Sequence, residues 1–191
     1  MPPTIAKTQR DTKSIDLALV KQVKEGNKTA FNILVRTHQR GVYAIVFSMV
    51  KDHDTTDDIV QDSFVKAYKN IQSFEERSSF KSWLYSIAIN TAKNTLRASA
   101  LRNNIDYEKV ILQTPSRSSD NIEQQELQTA LAEEIEKLPS KQKLALTLRI
   151  FDELPFKEIA DIMNCPYDTA KANFRHAINS LRKQTKIINV A

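Results

Sequence analysis

At 191 residues, with 27% charged side chains and a formal net charge of +5, the chain is long enough to bury one core or two small ones. Its two glycines argue against a glycine-rich phosphate cradle or a turn-dense β architecture. One cysteine and three scattered histidines (His38, His53, His176) offer neither a disulfide framework nor zinc-ligand spacing, so a reducing, cytosolic compartment and no metal or cofactor are expected.

The chain opens on a polar tail, 1–13, without the apolar centre of a secretory signal. An amphipathic run at 15–24 closes at Gly26-Asn27, and a longer helix is expected over 29–50. Its end, VYAIVFSMV (42–50), is the most apolar stretch, but it is too short to span a bilayer and reads as a buried core helix. No membrane insertion is expected.

Asp54-Thr55-Thr56-Asp57 has the composition of a helix start, with an oxygen to cap and acids in the first turn. In the helix that follows, DDIVQDSFVKAYKNI, the inward positions are expected to be Ile59, Phe64, Val65 and Tyr68. Asp58, Gln61 and Asp62 then project near one another. They suit a basic protein partner, or simple capping and solvation.

A polar stretch at 74–79 reads as a loop before FKSWLYSIAINTAKNTLR, 80–97. On a projection at about 100° per residue, Trp83, Leu84, Ile87, Ala88 and Thr91 gather around Phe80 as a core stripe. Ser82, Ser86, Asn90, Lys93 and Arg97 fall together between about 200° and 280° on that wheel. This row of small hydrogen-bonding groups and two cations can bond base edges and phosphates, with Tyr85 beside it as a stacking surface. A solvated polar face is the plain alternative. The loop above it suits an unstacked base.

Beyond Arg97 periodicity fades into a Pro- and Ser-marked, acidic connector. A second block starts near Ile122, breaks at Pro139 and resumes as KQKLALTLRIF. It ends in two helices around a tight turn. Phe156, Ile159, Ala160 and Met163 give the first an apolar face behind Pro155; Asn164-Cys165-Pro166 breaks the run. In the second, Phe174, Ala177, Ile178 and Leu181 face inward, while Lys171, Arg175, Arg182, Lys183 and Lys186 supply positive charge. A DNA-reading helix-turn-helix fits this layout, as does a surface hairpin with a solvated basic face.

The sequence is therefore read as all-α, with two small helical domains on a flexible tether: tail 1–13, first domain 14–100, linker 101–121, second domain 122–187. DDIVQDSFVKAY, FKSWLYSIAINTAKNTLR and LPSKQKLALTLRIFDELPFKEIADIMNCP, in this order and spacing, resemble regions 2.2, 2.3–2.4 and 4 of the extracytoplasmic-function sigma factors, a branch of the bacterial sigma-70 family. The resemblance runs from Ile15 to Lys183. It implies a cytoplasmic bacterial protein that binds core RNA polymerase and directs transcription initiation.

By position it assigns Asp58, Gln61 and Asp62 to the clamp helices of the polymerase β′ subunit. Ser82, Tyr85, Ser86, Asn90, Lys93 and Arg97, with the loop before Phe80, fall to the -10 element, and Lys171, Asn173, Arg175 and His176 to the -35 element. It further implies contact with the polymerase β flap, a linker threaded toward the active-site cleft and RNA exit channel, and control by an anti-sigma factor. The recognition helix departs from the family's usual GTV turn and following arginines at Asp168, Ala170, Asn173 and Ile178. A regulator using only its C-terminal module, or a protein-only helical adaptor, are the other readings; the former leaves 58–97 unexplained. An enzyme is not expected, for want of a nucleophile–base pair, metal constellation or phosphate loop.

Overall fold

In a computed structural model the chain is described over residues 4–103 and 131–188, where every regular element is a helix. Two compact units emerge, Met1–Thr95 and Leu96–Ala191. The expected linker beyond 103, and the start of the second block near Ile122, lie outside the described residues.

In the first unit α1 (Thr4–Lys24), α2 (Lys28–Val50) and α3 (His53–Asn70) pack in sequence, followed by a 3₁₀ turn, Ile71–Ser73, and by α4 (Phe80–Asn103), whose last turns run past the boundary at Thr95. Helix α1 thus reaches back into the stretch read as a tail. It ends on Gly26 (φ 99°), where Asn27 N–H donates to Gln22 O and Gly26 N–H to Val23 O, both 2.9 Å. Those paired bonds are a Schellman closure, which needs the left-handed conformation that glycine adopts without penalty. Asn27 then caps α2 by accepting from Thr29 and Ala30 N–H.

The next start lies earlier than the composition suggested. Asp52, not a residue of the 54–57 stretch, caps α3, accepting from Thr55 N–H at 2.8 Å. A side-chain hydrogen bond from Thr55, and then this backbone bond, hold the Asp52 carboxyl below the usual carboxylate range.

The core of this unit is Leu34, Val42, Ile45 and Val46 of α2 against Ile59, Phe64 and Ala67 of α3 and Phe80, Leu84, Tyr85, Ala88 and Ile89 of α4. One close approach is written into the sequence. A Cβ at Gly41 would collide with Tyr85 Oη, so only glycine leaves room for the phenol. Asp16 on α1 and His38 on α2 form a buried pair at 3.0 Å, with the His38 ring 5.6 Å from that of Phe80. Removing one partner strands a buried polar group, so the pair pins α1 to α2 in one register.

The second unit contains a helical stretch at 131–136, then α5 (Ser140–Ile150), α6 (Phe156–Met163) and α7 (Tyr167–Ile188). Each of the three follows a proline: Pro139, Pro155, Pro166. Proline presets φ and lacks only an N–H that a helix start leaves unused. Pro155 and Pro166 precede their helices rather than opening them. Leu138, Leu146 and Ala177 form a core joined by Ile135, Phe174, Ile178 and Leu181, which bears out the inward face expected of the last helix.

Candidate nucleic-acid and protein interfaces

Helix α3 presents Asp58, Gln61 and Asp62 to solvent as expected. Asp62 also pairs with Lys66 at 2.7 Å, one turn on, and Lys66 Nζ donates to Thr91 Oγ1 of α4 at 3.2 Å. Two of the four expected inward residues are not inward. Val65 and Tyr68 are 42% and 39% exposed, and with Val60, Phe64, Phe31 and Val35 they line a groove of about 580 Å³ between α2 and α3.

The groove follows from helix geometry. Positions 57, 61, 65 and 60, 64, 68 are adjacent i, i+4 rows on α3, facing the 28–39 face of α2. Phe31 and Tyr68 meet edge to face at 4.9 Å across its floor. Asp57 and Gln61 line it together with Lys28 and Lys69. An apolar trough with mixed charges in its lining suits a protein helix better than a nucleic acid, which calls for a predominantly basic surface.

Helix α4 buries Phe80, Leu84, Ala88 and Thr91 of the expected core stripe and widens it with Tyr85, Ile89, Ala92 and Leu96, whereas Trp83 and Ile87 are only half-buried. Apolar residues occupy most of this helix's circumference, so periodicity alone could not choose the packed arc. Consequently Tyr85, at 1% exposure, is core and not a stacking surface, and Ser82, at 2%, is turned inward. Ser79 Oγ accepts from Ser82 N–H at 3.2 Å, and the two hydroxyls lie 2.8 Å apart, closing the first turn of α4.

What stays on the outer face is Ser86 and Lys93, half-buried, and Asn90, exposed, with exposed Arg97 one turn further along. Ser86 Oγ donates to Ser82 O at 3.0 Å. The loop 74–79 leaves an aromatic seat at the start of α4, where the Phe74 ring lies 5.1 Å from Trp83 and 6.1 Å edge-on to Phe80. Glu75, Glu76 and Arg77 are exposed, with Glu76 at φ 60°.

In the second unit α6 and α7 form the expected helix-turn-helix. Asn164 lies in the left-handed region (φ 52°), with Asn164 N–H donating to Asp161 O and Cys165 N–H to Ala160 O, another Schellman closure. Asparagine tolerates this conformation better than most residues that carry a Cβ. The Phe156 ring packs 5.4 Å edge-on to Phe174 and beneath the Arg149 guanidinium at 5.1 Å, locking the two helices together. Lys171, Arg175 and His176 are exposed on α7. Asn173 is half-buried, and its amide donates to Thr169 O at 2.9 Å. Ala170 is fully buried and belongs to the core, not to the outward face on which its departure from the family pattern would matter.

The family profiles Sigma-70 region 2 and Sigma-70, region 4 match residues 34–102 and 128–184. An ECF RNA polymerase sigma-E factor from Haemophilus influenzae is 40% identical over 172 residues, covering 85% of this chain and 90% of that protein. The chain belongs to the extracytoplasmic-function sigma factors of the sigma-70 family. An RNA polymerase sigma-H factor from Pseudomonas aeruginosa is 32% identical over 182 residues, covering 90% of this sigma factor and 94% of its relative. Among solved structures, a sigma factor from Bartonella quintana in complex with an anti-sigma factor shares the fold with a TM-score of 0.65 at 22% identity, over 82% of this chain and 97% of the other. Among the described residues no helix is long and apolar enough to cross a membrane.

Proposed function

We propose that this sigma factor grips core RNA polymerase with the α2–α3 groove and the exposed acids of α3, and opens the -10 element with the loop 74–79 and the outer face of α4. The observation that supports this is the chemistry of the two surfaces. The groove is largely apolar, and Asp57, Asp58 and Asp62 are exposed on α3. The α4 face offers Ser86, Asn90, Lys93 and Arg97. A clamp helix carrying apolar and basic side chains fits the first surface, and a single strand fits the second. Ser82 and Tyr85 serve from inside, as the packing that holds α4 in place.

Promoter opening on this reading needs no covalent chemistry and no enzyme activity. Binding energy offsets the few kcal/mol of unstacking a base, by holding the extruded base under the loop while α4 bonds the strand's edges and phosphates. Lys171, Arg175 and His176 dock α7 in the major groove of the -35 element, where cationic side chains reach base edges and phosphates. Asn173, tied to its own helix, contributes less. On this reading the second unit also meets the β flap, with a region 2 domain at 14–100 and a region 4 domain at 122–187. An anti-sigma factor, as in the Bartonella complex, would hold the protein inactive in the bacterial cytoplasm by covering these faces.

The test is to add the protein to sigma-free core polymerase with a genomic promoter library. Initiation from a defined subset of promoters is the expected result. DNA binding without any promoter-specific initiation would leave a conventional regulator instead.

A further inference from the structure

Two bonds cross from the end of α1 to the base of the loop 74–79, although about fifty residues separate them in sequence. Lys24 Nζ donates to the Phe74 carbonyl at 2.7 Å and lies 5.9 Å above the Phe74 ring. Gln72 Nε2 donates to the Lys24 carbonyl at 2.9 Å. Phe74 itself is 3% exposed, and its carbonyl sits at the last residue before the chain becomes solvent-exposed.

We propose that Lys24 is a positioning residue for strand opening: without touching DNA, it fixes the point from which the loop 74–79 leaves the aromatic seat. The loop is pinned at its far end by the Ser79–Ser82 turn of α4. Between the two pins only 75–78 are left to shape, too few to wander if both ends hold. A cation bonded to a half-buried carbonyl is a stronger tether than a neutral donor, and the same ammonium faces the Phe74 ring. The Gln72 bond adds a second strut: it ties the 3₁₀ turn to the backbone of the same lysine, so α1 and the loop base move as one piece.

This inference rests on the loop being the part that holds the -10 base, and the experiment separates the two. Lys24→Met keeps the stem and removes the cationic donor; Lys24→Arg keeps a donor; Gln72→Leu removes the second strut. Each full-length variant is assembled with core polymerase and given two templates of a promoter selected by the unaltered protein, one duplex and one already unpaired across the -10 element. Core affinity, melting temperature and preference for the native base over its replacement in the unpaired strand are measured.

For Lys24→Met, open-complex formation on duplex is expected to fall about tenfold, the size of one lost charge-assisted hydrogen bond. Base preference on the unpaired template falls with it, core affinity is kept, and Lys24→Arg restores both. Gln72→Leu shows the same pattern more weakly, and carries the test if Lys24→Met does not fold. Base preference kept at the unaltered level would overturn the role of Lys24, whether or not the melting temperature drops. Absence of any base preference in the unaltered protein would instead remove the loop reading, and this inference with it.

Discussion

In the first unit the starts of α2, α3 and α4 are capped by the side-chain oxygens of Asn27, Asp52 and Ser79, whereas α5, α6 and α7 in the second unit each follow a proline that offers no side-chain acceptor. A side-chain cap specifies where the chain before the helix must lie, because an atom of that segment is bonded into the first turn. Proline specifies only the local dihedral, which is enough for the short turns of a rigid helix pair. On the proposed division of tasks, a loop that holds a single strand needs both ends fixed, and Ser79 and Lys24 bond its two ends. A helix laid on duplex DNA would need only its packing on the helix before it, where Phe156 meets Phe174.

The comparison also sorts the recognition chemistry. The second unit's reading helix exposes Lys171, Arg175 and His176, a set that binds backbone charge first. On α4 the outer face mixes Ser86 and Asn90 with cations, as suits edges of unpaired bases.

The largest expected effect that sharpens this division comes from placing charge in the groove. Val65→Asp puts a carboxylate on an exposed but apolar floor, leaving the core intact, and core-polymerase affinity is expected to fall about 30-fold, the ~2 kcal/mol of an interface centre. Titration of labelled protein with core enzyme checks it, and base preference on an unpaired -10 strand should not change.

Next in size is Gly41→Ala. Tyr85 is 1% exposed and has nowhere to retreat from the new methyl group, so a cost of about 1–3 kcal/mol is expected, typical of overpacking. Thermal unfolding should show the first unit losing stability while the second holds. Equal loss in both would break the division into independent cores.

A smaller, cleaner effect is expected from Arg175→Ala. Affinity for duplex -35 DNA should fall, with the slope of its salt dependence reduced by about one, while base preference on a strand unpaired at -10 is unaffected.

The least effect concerns Asp52. Because its carboxyl is held below the ordinary range when folded, its cap stabilises α3 above the unfolded value near pH 4 and loses that contribution as pH falls through the lower folded value. Asp52→Asn, which keeps an acceptor, should therefore flatten a slight acid-side loss in first-unit melting temperature.

Much of the second unit is legible in sequence because its elements are short, amphipathic and punctuated by Pro139, Pro155, Asn164 and Pro166. The first unit resists reading for two physical reasons. Residues such as Val65 and Tyr68 look the same to a periodicity count whether they fill a core or line an open groove, and only the excess width of the apolar stripe on α3 hints at the second. On α4 the apolar residues ring the helix, so periodicity finds Phe80, Leu84, Ala88 and Thr91 but not the width of the packed arc, which takes in Ser82 and Tyr85. The bond from Lys24 to Phe74 O has no local signature at all, since any lysine near a helix end reads as a solvated charge that complements the dipole.

The most direct test of the claim that one small unit carries two separable surfaces is a paired measurement on Asp62→Arg and Asn90→Ala. Both side chains are exposed, so neither change opens the core; Asp62→Arg also removes the ion pair to Lys66, so melting temperature is measured alongside. Core-polymerase affinity and open-complex formation at saturating polymerase are measured for each. Asp62→Arg is expected to weaken core binding yet open promoters normally once saturated, and Asn90→Ala to bind core normally yet open slowly. The reverse pattern, or equal loss of both properties in both variants, would contradict the account.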